Sequence, residues 1–398
     1  MNQQYKSGDE LDVRIEKIVP RGPGLAFAEN LTVFVPLAVP GDRVRVRIDE
    51  IKKRTSFAEI VDVIEPSPER ITPPCPHFGT CGGCDFQQME YASQLAAKVG
   101  IIRDCLHRIG KIEVDDVEIV GSTQEFGYRS RAKWHLDRIE QTIGYFRRDS
   151  HDVIDVHECP ILTPGLQSAL EDLRTKIDWA MLWDDSAELE AVTGDDGSVS
   201  MFSREMAQPT AEITVNAAGE EFSFSAQTFF QSNRFLLEKL IETAVGDASG
   251  NTALDLYCGV GLFALPLARR FTNVIGVEDN VTAIGFAKKN AARAGLKNVE
   301  FRRSGVRTFL NECNVASTGL ILIDPPRAGA EKGTIEKIAQ LRPREISYVS
   351  CEPSILARDL RYLLDAGYTI NRITAFDLFP QTHHVETVVR LRIDLKNQ

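Results

Sequence analysis

From about residue 227 onward, short apolar runs recur with helical segments between them: ALDLY (253–257), NVIGV (273–277), NVEFR (298–302), GLILID (319–324) and EISYVS (345–350). Apolar strands that alternate with helices are covered on both faces, and the architecture open to them is a parallel doubly wound sheet. Two further runs, TINRITAF (369–376) and TVVRLRI (387–393), follow one another and form a hairpin, which gives seven strands with one antiparallel member.

The chain ahead of this unit is built differently. Residues 1–65 alternate apolar and polar positions in short runs separated by Gly/Pro turns, the pattern of a small five-stranded antiparallel barrel. RVRVRIDEIKKR puts bases on alternate positions of one strand, either a face for an oligonucleotide or an edge protected by charge. The Pro-rich EPSPERITPPCP closes that unit. Residues 90–110 and 165–180 read as helices, and 126–160 and 199–230 read mainly as strands, an α+β arrangement. The expected domains are therefore 1–67, 68–226 and 227–398.

Composition narrows the function. Lys and Arg total 46 against 57 Asp and Glu, a net charge of −11 that argues against binding nucleic acid through bulk charge. Distribution matters more. Residues 178–200 hold seven acids and no base, whereas 128–148 hold six bases (Arg129, Arg131, Lys133, Arg138, Arg147, Arg148) against Asp137 and Glu140. Aromatics interleave with those bases in Tyr128–Trp134 and Gly144–Arg148, the mixture that stacks unpaired bases and holds phosphates. No window approaches the apolar length of a membrane helix, and MNQQYKSGDELDV lacks the pattern of a signal peptide, so a cytoplasmic chain is expected.

Asp255-Leu-Tyr257-Cys-Gly259-Val-Gly261 follows a strand and opens a helix, and its glycines let a ligand approach the backbone. Glu278 ends the next strand, where a carboxylate accepts from a ribose diol. The third glycine of the dinucleotide fingerprint is missing, and there is no P-loop. A nucleoside without a pyrophosphate fits best, and the common one is S-adenosylmethionine.

Asp324-Pro-Pro-Arg327 stiffens the loop after the fourth strand. Cys351, in SCEP, ends the fifth strand beside a helix N-terminus, where the dipole is expected to favour thiolate. Glu386, in HHVE, should reach the same rim, either as a partly buried base or as an ordinary carboxylate at the start of a strand. A thiol, a base and a methyl-donor fold point to one reaction: thiolate addition at carbon 6 of uracil makes carbon 5 nucleophilic toward a methyl group. Cys75, Cys81 and Cys84, with Cys159 as a fourth, form a complete thiolate set for either zinc or a [4Fe–4S] cluster.

These motifs, in order C-x5-C-x2-C, FFQSN, DLYCGVG, DPPR, SCEP and HHVE behind the barrel, resemble the RNA 5-methyluridine methyltransferase family over nearly the whole chain. The resemblance implies a TRAM barrel, a Rossmann-like methyltransferase domain, Cys351 as nucleophile and Glu386 as base. It also implies that Gln231, Tyr257, Glu278 and Asp324 contact S-adenosylmethionine, with Asp324 near the target base, and that the four cysteines hold a [4Fe–4S] cluster. The expected substrate is a flipped-out uridine in structured ribosomal or transfer RNA, acted on by a monomer. One departure is Leu262, where many members carry Asn. The competing readings are an amino-methyltransferase, which normally has an aromatic where Arg327 stands, and a non-catalytic RNA-binding or redox module, which would leave Cys351 idle.

Overall fold

The computed structural model describes residues 5–206, 210–313 and 318–393. Its C-terminal sheet has eight strands in the order Val299–Arg303, Phe271–Glu278, Gly250–Leu256, Leu320–Ile323, Glu345–Ser350, Glu386–Ile393, Tyr368–Phe376 and Glu118–Val120. The first five are parallel, and Glu386–Ile393 runs antiparallel to both neighbours. Seven of these strands match the apolar runs. The eighth comes from far upstream and pairs in parallel with Tyr368–Phe376.

Every residue of Leu320–Ile323 and Glu345–Ser350 is buried, because helices cover both faces. Alternate side chains feed opposite layers: Leu320 and Leu322 join one core, Ile321 and Ile323 the other. The helix Tyr91–Cys105, continued by one wide turn over Leu106–Gly110, contributes Ile102 and Leu106 to the second core, against Leu356 and Leu360 of the helix Pro353–Asp365. Lys98 of that upstream helix forms an ion pair with Asp377, and both side chains are fully buried. Removing either partner would strand a charge at a cost of about 3–5 kcal/mol.

The N-terminal barrel holds six strands, the expected five plus the two-residue Lys17–Ile18. In Arg43–Lys52, Val44, Val46 and Ile48 point into the core while Arg43, Arg45 and Arg47 face out. Each outward arginine is paired, Arg43 with Glu65 at 3.0 Å, Arg45 with Asp12 at 2.9 Å and Arg47 with Glu59 at 3.8 Å. The stripe is thus a charge-balanced outer face.

The central segment forms a five-stranded antiparallel sheet, with the helix Pro164–Lys176 packed over Trp134, Leu136 and Leu189. Here the acidic and basic stretches turn out to be neighbours. Arg131–Asp137 pairs with Ser186–Thr193, which sets Arg131 on Glu190 (2.9 Å), Lys133 on Glu188 (2.8 Å) and Arg138 on Asp185. Most of the local positive balance is neutralised inside the sheet, and Arg147 remains exposed. Among the described residues no helix is long and apolar enough to cross a membrane.

Candidate active site

The order of the parallel strands reverses on either side of Gly250–Leu256, and the crevice at such a reversal is where open α/β sheets bind ligands. The register sets Leu256 beside Ile323, so Tyr257 and Asp324 leave the sheet side by side. Tyr257 adopts a left-handed φ of 64°, and Gly259 (54°) and Gly261 (94°) follow in the same region. The two glycines serve different ends. A Cβ on Gly261 would lie 2.7 Å from Leu265, so that position needs glycine for packing, whereas a Cβ on Gly259 would meet nothing within 4 Å. Open space beside a glycine at a crevice is the shape of a ligand cradle. Glu278 braces the loop by accepting from the amides of Gly259 (3.2 Å) and Asn280 (2.8 Å).

Gln231 is buried in the FFQSN segment next to Phe230, which stacks on Phe224 with ring centroids 4.2 Å apart. Leu262 is buried in the core with Phe263 and offers the crevice no polar group. Asp255, which the sequence reading quoted without a role, is fully buried under the crevice. Burial, then the neighbouring charge of Asp324, pushes its carboxyl well above the usual range.

Cys351 lies one residue beyond the strand Glu345–Ser350, and Ser350 pairs with Thr387, next to Glu386. The antiparallel strand therefore starts at the rim where the parallel strands end, which brings Cys351, Glu386 and Asp324 together. Burial pushes the half-buried Cys351 thiol up to about 12; Glu386 and Asp324 add to this and Arg327 opposes it. The expected thiolate at a helix terminus is therefore corrected: the terminus is already occupied by Glu352, whose carboxylate accepts from the Ser354 amide at 3.3 Å, and two acids face the sulfur. Asp324 is raised to about 7 by burial. Glu386 is only 3% exposed, its Oε1 has no hydrogen-bond partner, and burial beside Asp324 raises it well above the ordinary range, against the pull of Arg327. An acid cluster with an orphaned oxygen suits a cationic or proton-bearing ligand.

Cys75, Cys81, Cys84 and Cys159 line one small pocket with Phe78, Gln87, Arg129, Tyr145 and Ile161, and none forms a disulfide. Gly82 donates to the Phe146 carbonyl at 3.0 Å and Arg148 donates to that of Thr80 at 2.8 Å, which fixes the loop to the central sheet. The Gly83 amide points at Cys81 Sγ at 3.4 Å. Burial pushes Cys84 up to about 12 and Cys159 up to about 11, while Arg129 draws both back toward thiolate. Among the described residues, no three His, Cys, Asp or Glu side chains stand in the geometry of a single bound ion.

Three more groups belong to this region: His384 and Asp85, for which no role was expected, and Arg148, expected only as part of the basic run. His384 is held down to about 3 by burial and by the charges of His383 and Arg327. Asp85 and Arg148 join at 3.1 Å beside the cysteine loop. Only the doubled histidine of HHVE hinted at any of this.

Comparison with known proteins agrees along the whole chain. A family model described as tRNA (uracil-5-)-methyltransferase matches residues 201–393, and a TRAM domain model matches 4–61. The 23S rRNA (uracil(1939)-C(5))-methyltransferase RlmD of Pectobacterium atrosepticum is 33% identical over 95% of this chain and 92% of its own. An uncharacterised RNA methyltransferase of Thermosynechococcus vestitus is 31% identical over 97% and 99%. The crystal structure of Pyrococcus abyssi tRNA (uracil-54, C5)-methyltransferase with S-adenosyl-L-homocysteine superposes with a TM-score of 0.75 at 27% identity, covering 96% of this chain and 100% of that one.

Proposed function

This chain belongs to the RNA uracil-C5 methyltransferase family, a class of S-adenosylmethionine-dependent enzymes, and from that premise we propose a covalent route with Cys351 as nucleophile and Glu386 as base. The observation that carries this reading is the convergence of Cys351, Glu386 and Asp324 at one rim, with Glu386 Oε1 buried and unpartnered.

S-adenosylmethionine supplies an electrophilic methyl group on a cationic sulfonium. Tyr257, Gly259, Gly261, Glu278 and Gln231 form its bed, with the Gly259 cradle for close approach and Glu278 for the ribose. Asp324 stands between this bed and the thiol. As Cys351 passes its proton to solvent, Sγ bonds to carbon 6 of uracil and the electron pair of the carbon 5–carbon 6 double bond moves toward carbon 5. Carbon 5 would take the methyl group as the methyl–sulfur bond breaks and the sulfonium leaves as a neutral thioether; Glu386 in its ionised form then removes the proton from carbon 5, and the electron pair of that C–H bond restores the double bond as Sγ leaves carbon 6. The high resting value of the thiol fits an enzyme that activates its nucleophile only when a positive charge enters the acid cluster. Carbon 6 is out of reach in a stacked helix, so the target is an unstacked uridine. The relatives named for 23S rRNA favour ribosomal over transfer RNA as substrate.

Cys75, Cys81, Cys84 and Cys159 would hold a [4Fe–4S] cluster. Four thiols lining one pocket are the ligand set of such a cluster, and zinc, which takes four sulfurs at about 2.3 Å, is the alternative. Bound there, the cluster would cross-link distant points of the chain; the methyl transfer itself is redox-neutral.

The test is methyl transfer from labelled S-adenosylmethionine to RNA by Cys351→Ala. Activity should fall by on the order of 10⁴-fold or more, and RNA carrying 5-fluorouridine should become covalently trapped on the wild-type protein only. Persistent transfer by the variant would exclude the covalent route.

A further inference from the structure

The loop that leads into Glu386 buries Leu378 and Val385 in the cores of its own domain, but between them it is held by the central segment. The Asp85 and Phe86 amides, directly after Cys84, both donate to the Gln381 carbonyl, at 2.9 and 3.0 Å. His383 Nδ1 donates to Asp85 Oδ2 at 2.6 Å, and Arg148 holds the other carboxylate oxygen at 3.1 Å while reaching the Cys84 carbonyl at 2.6 Å. Tyr128, from the same pocket region, donates to the Pro380 carbonyl at 2.9 Å. From the other side the barrel closes in: a Cβ on Gly22 would stand 3.0 Å from His383 Cβ. His383 is thus the point where all three parts of the chain meet, three residues from Glu386. Its ring lies 4.1 Å from that of His384, which feels the charge of Arg327.

We propose that His383 and Asp85 are positioning residues, a latch by which the cysteine loop holds the 378–385 segment and so sets Glu386 for proton removal. This deepens the reading given above and rests on Glu386 being the base and on the four thiols holding a cluster. The latch makes occupancy of the cysteine pocket a condition for the last chemical step, with no electron passing between the two sites. Specificity for this step distinguishes a latch from general support. Thiol addition uses Cys351, one residue past the strand Glu345–Ser350, whereas release uses Glu386, the first residue of the strand that the latched loop leads into.

The experiment separates the two steps in single-turnover reactions with substrate RNA. His383→Ala should slow release of methylated RNA at least about tenfold and accumulate the protein–RNA adduct, with adduct formation changed less than about threefold. His383→Asn, whose amide nitrogen can stand where Nδ1 stands, should recover most of the release rate. Iron content should be the same in both variants. Independently of activity, amide hydrogen exchange over 378–386 should quicken when iron is removed with a chelator, and should quicken likewise in iron-loaded His383→Ala. The proposal is overturned if addition and release fall together with Asn no better than Ala, or if exchange over 378–386 ignores both iron removal and the substitution. A Glu386→Gln variant that fails to accumulate adduct would instead overturn the assignment of the base, whatever the latch does.

Discussion

Two of the places where the molecule encloses thiols surround them with opposite charge. Around Cys351 stand Glu386 and Asp324, with Arg327 alone opposing them; around Cys75, Cys81, Cys84 and Cys159 stands Arg129, with no carboxylate lining the pocket. Burial raises Cys351 in the one and Cys81, Cys84 and Cys159 in the other. The difference lies in what can relieve them. The cysteine pocket carries its own cation, Arg129, which draws Cys84 and Cys159 back toward thiolate. At the Cys351 site two acids stand against the single Arg327, so the surroundings oppose thiolate.

The sharpest way to break this contrast is to empty the first pocket. Cys159→Ser should lower retained iron and acid-labile sulfide by about tenfold or more, with a fall of several degrees in Tm. Metal analysis and calorimetry read both, and full retention would remove the four-thiol set from consideration. Next in size is Asp324→Asn. The carboxyl is raised to about 7 in the folded chain, against an ordinary value near 3.8. Its favourable contribution is therefore complete at low pH and is lost as pH rises through about 7. The amide should stabilise the protein by about 2–4 kcal/mol at pH 8.5 and hardly at all at pH 4, read as Tm across that range. An equal effect at both ends would mean that Asp324 is not strained by its charge. The smallest effect is on Cys351 itself. Glu386→Gln removes the larger of the two acidic influences, so the pH midpoint of its alkylation by iodoacetamide should move down from about 12. An unchanged profile would say that burial alone sets the thiol.

The same contrast explains what the sequence could disclose. Strand runs such as LILI and EISYVS announce themselves because both faces are buried, and the loops after them inherit their place from the topology. Cys351, Asp324 and Glu386 were legible for that reason. The state of the sulfur was not, since it depends on Glu352 filling the helix terminus and on an acid brought over from another strand. Glu118–Val120 has three residues, too few to display a period. The basic run 128–148 looked like an RNA surface until the register laid Glu188 and Glu190 against Lys133 and Arg131. Pairing across a sheet is a long-range fact, and charge counted along the chain misses it.

That short upstream strand has a further consequence. A polypeptide cut at residue 227 would keep every motif of the methyltransferase domain, yet its outermost strand, Tyr368–Phe376, would show an open edge to any other copy, and Asp377 would lose Lys98. The catalytic half should therefore precipitate when expressed by itself and become tractable once residues 91–120 are supplied, so its borders in space are not its borders in sequence.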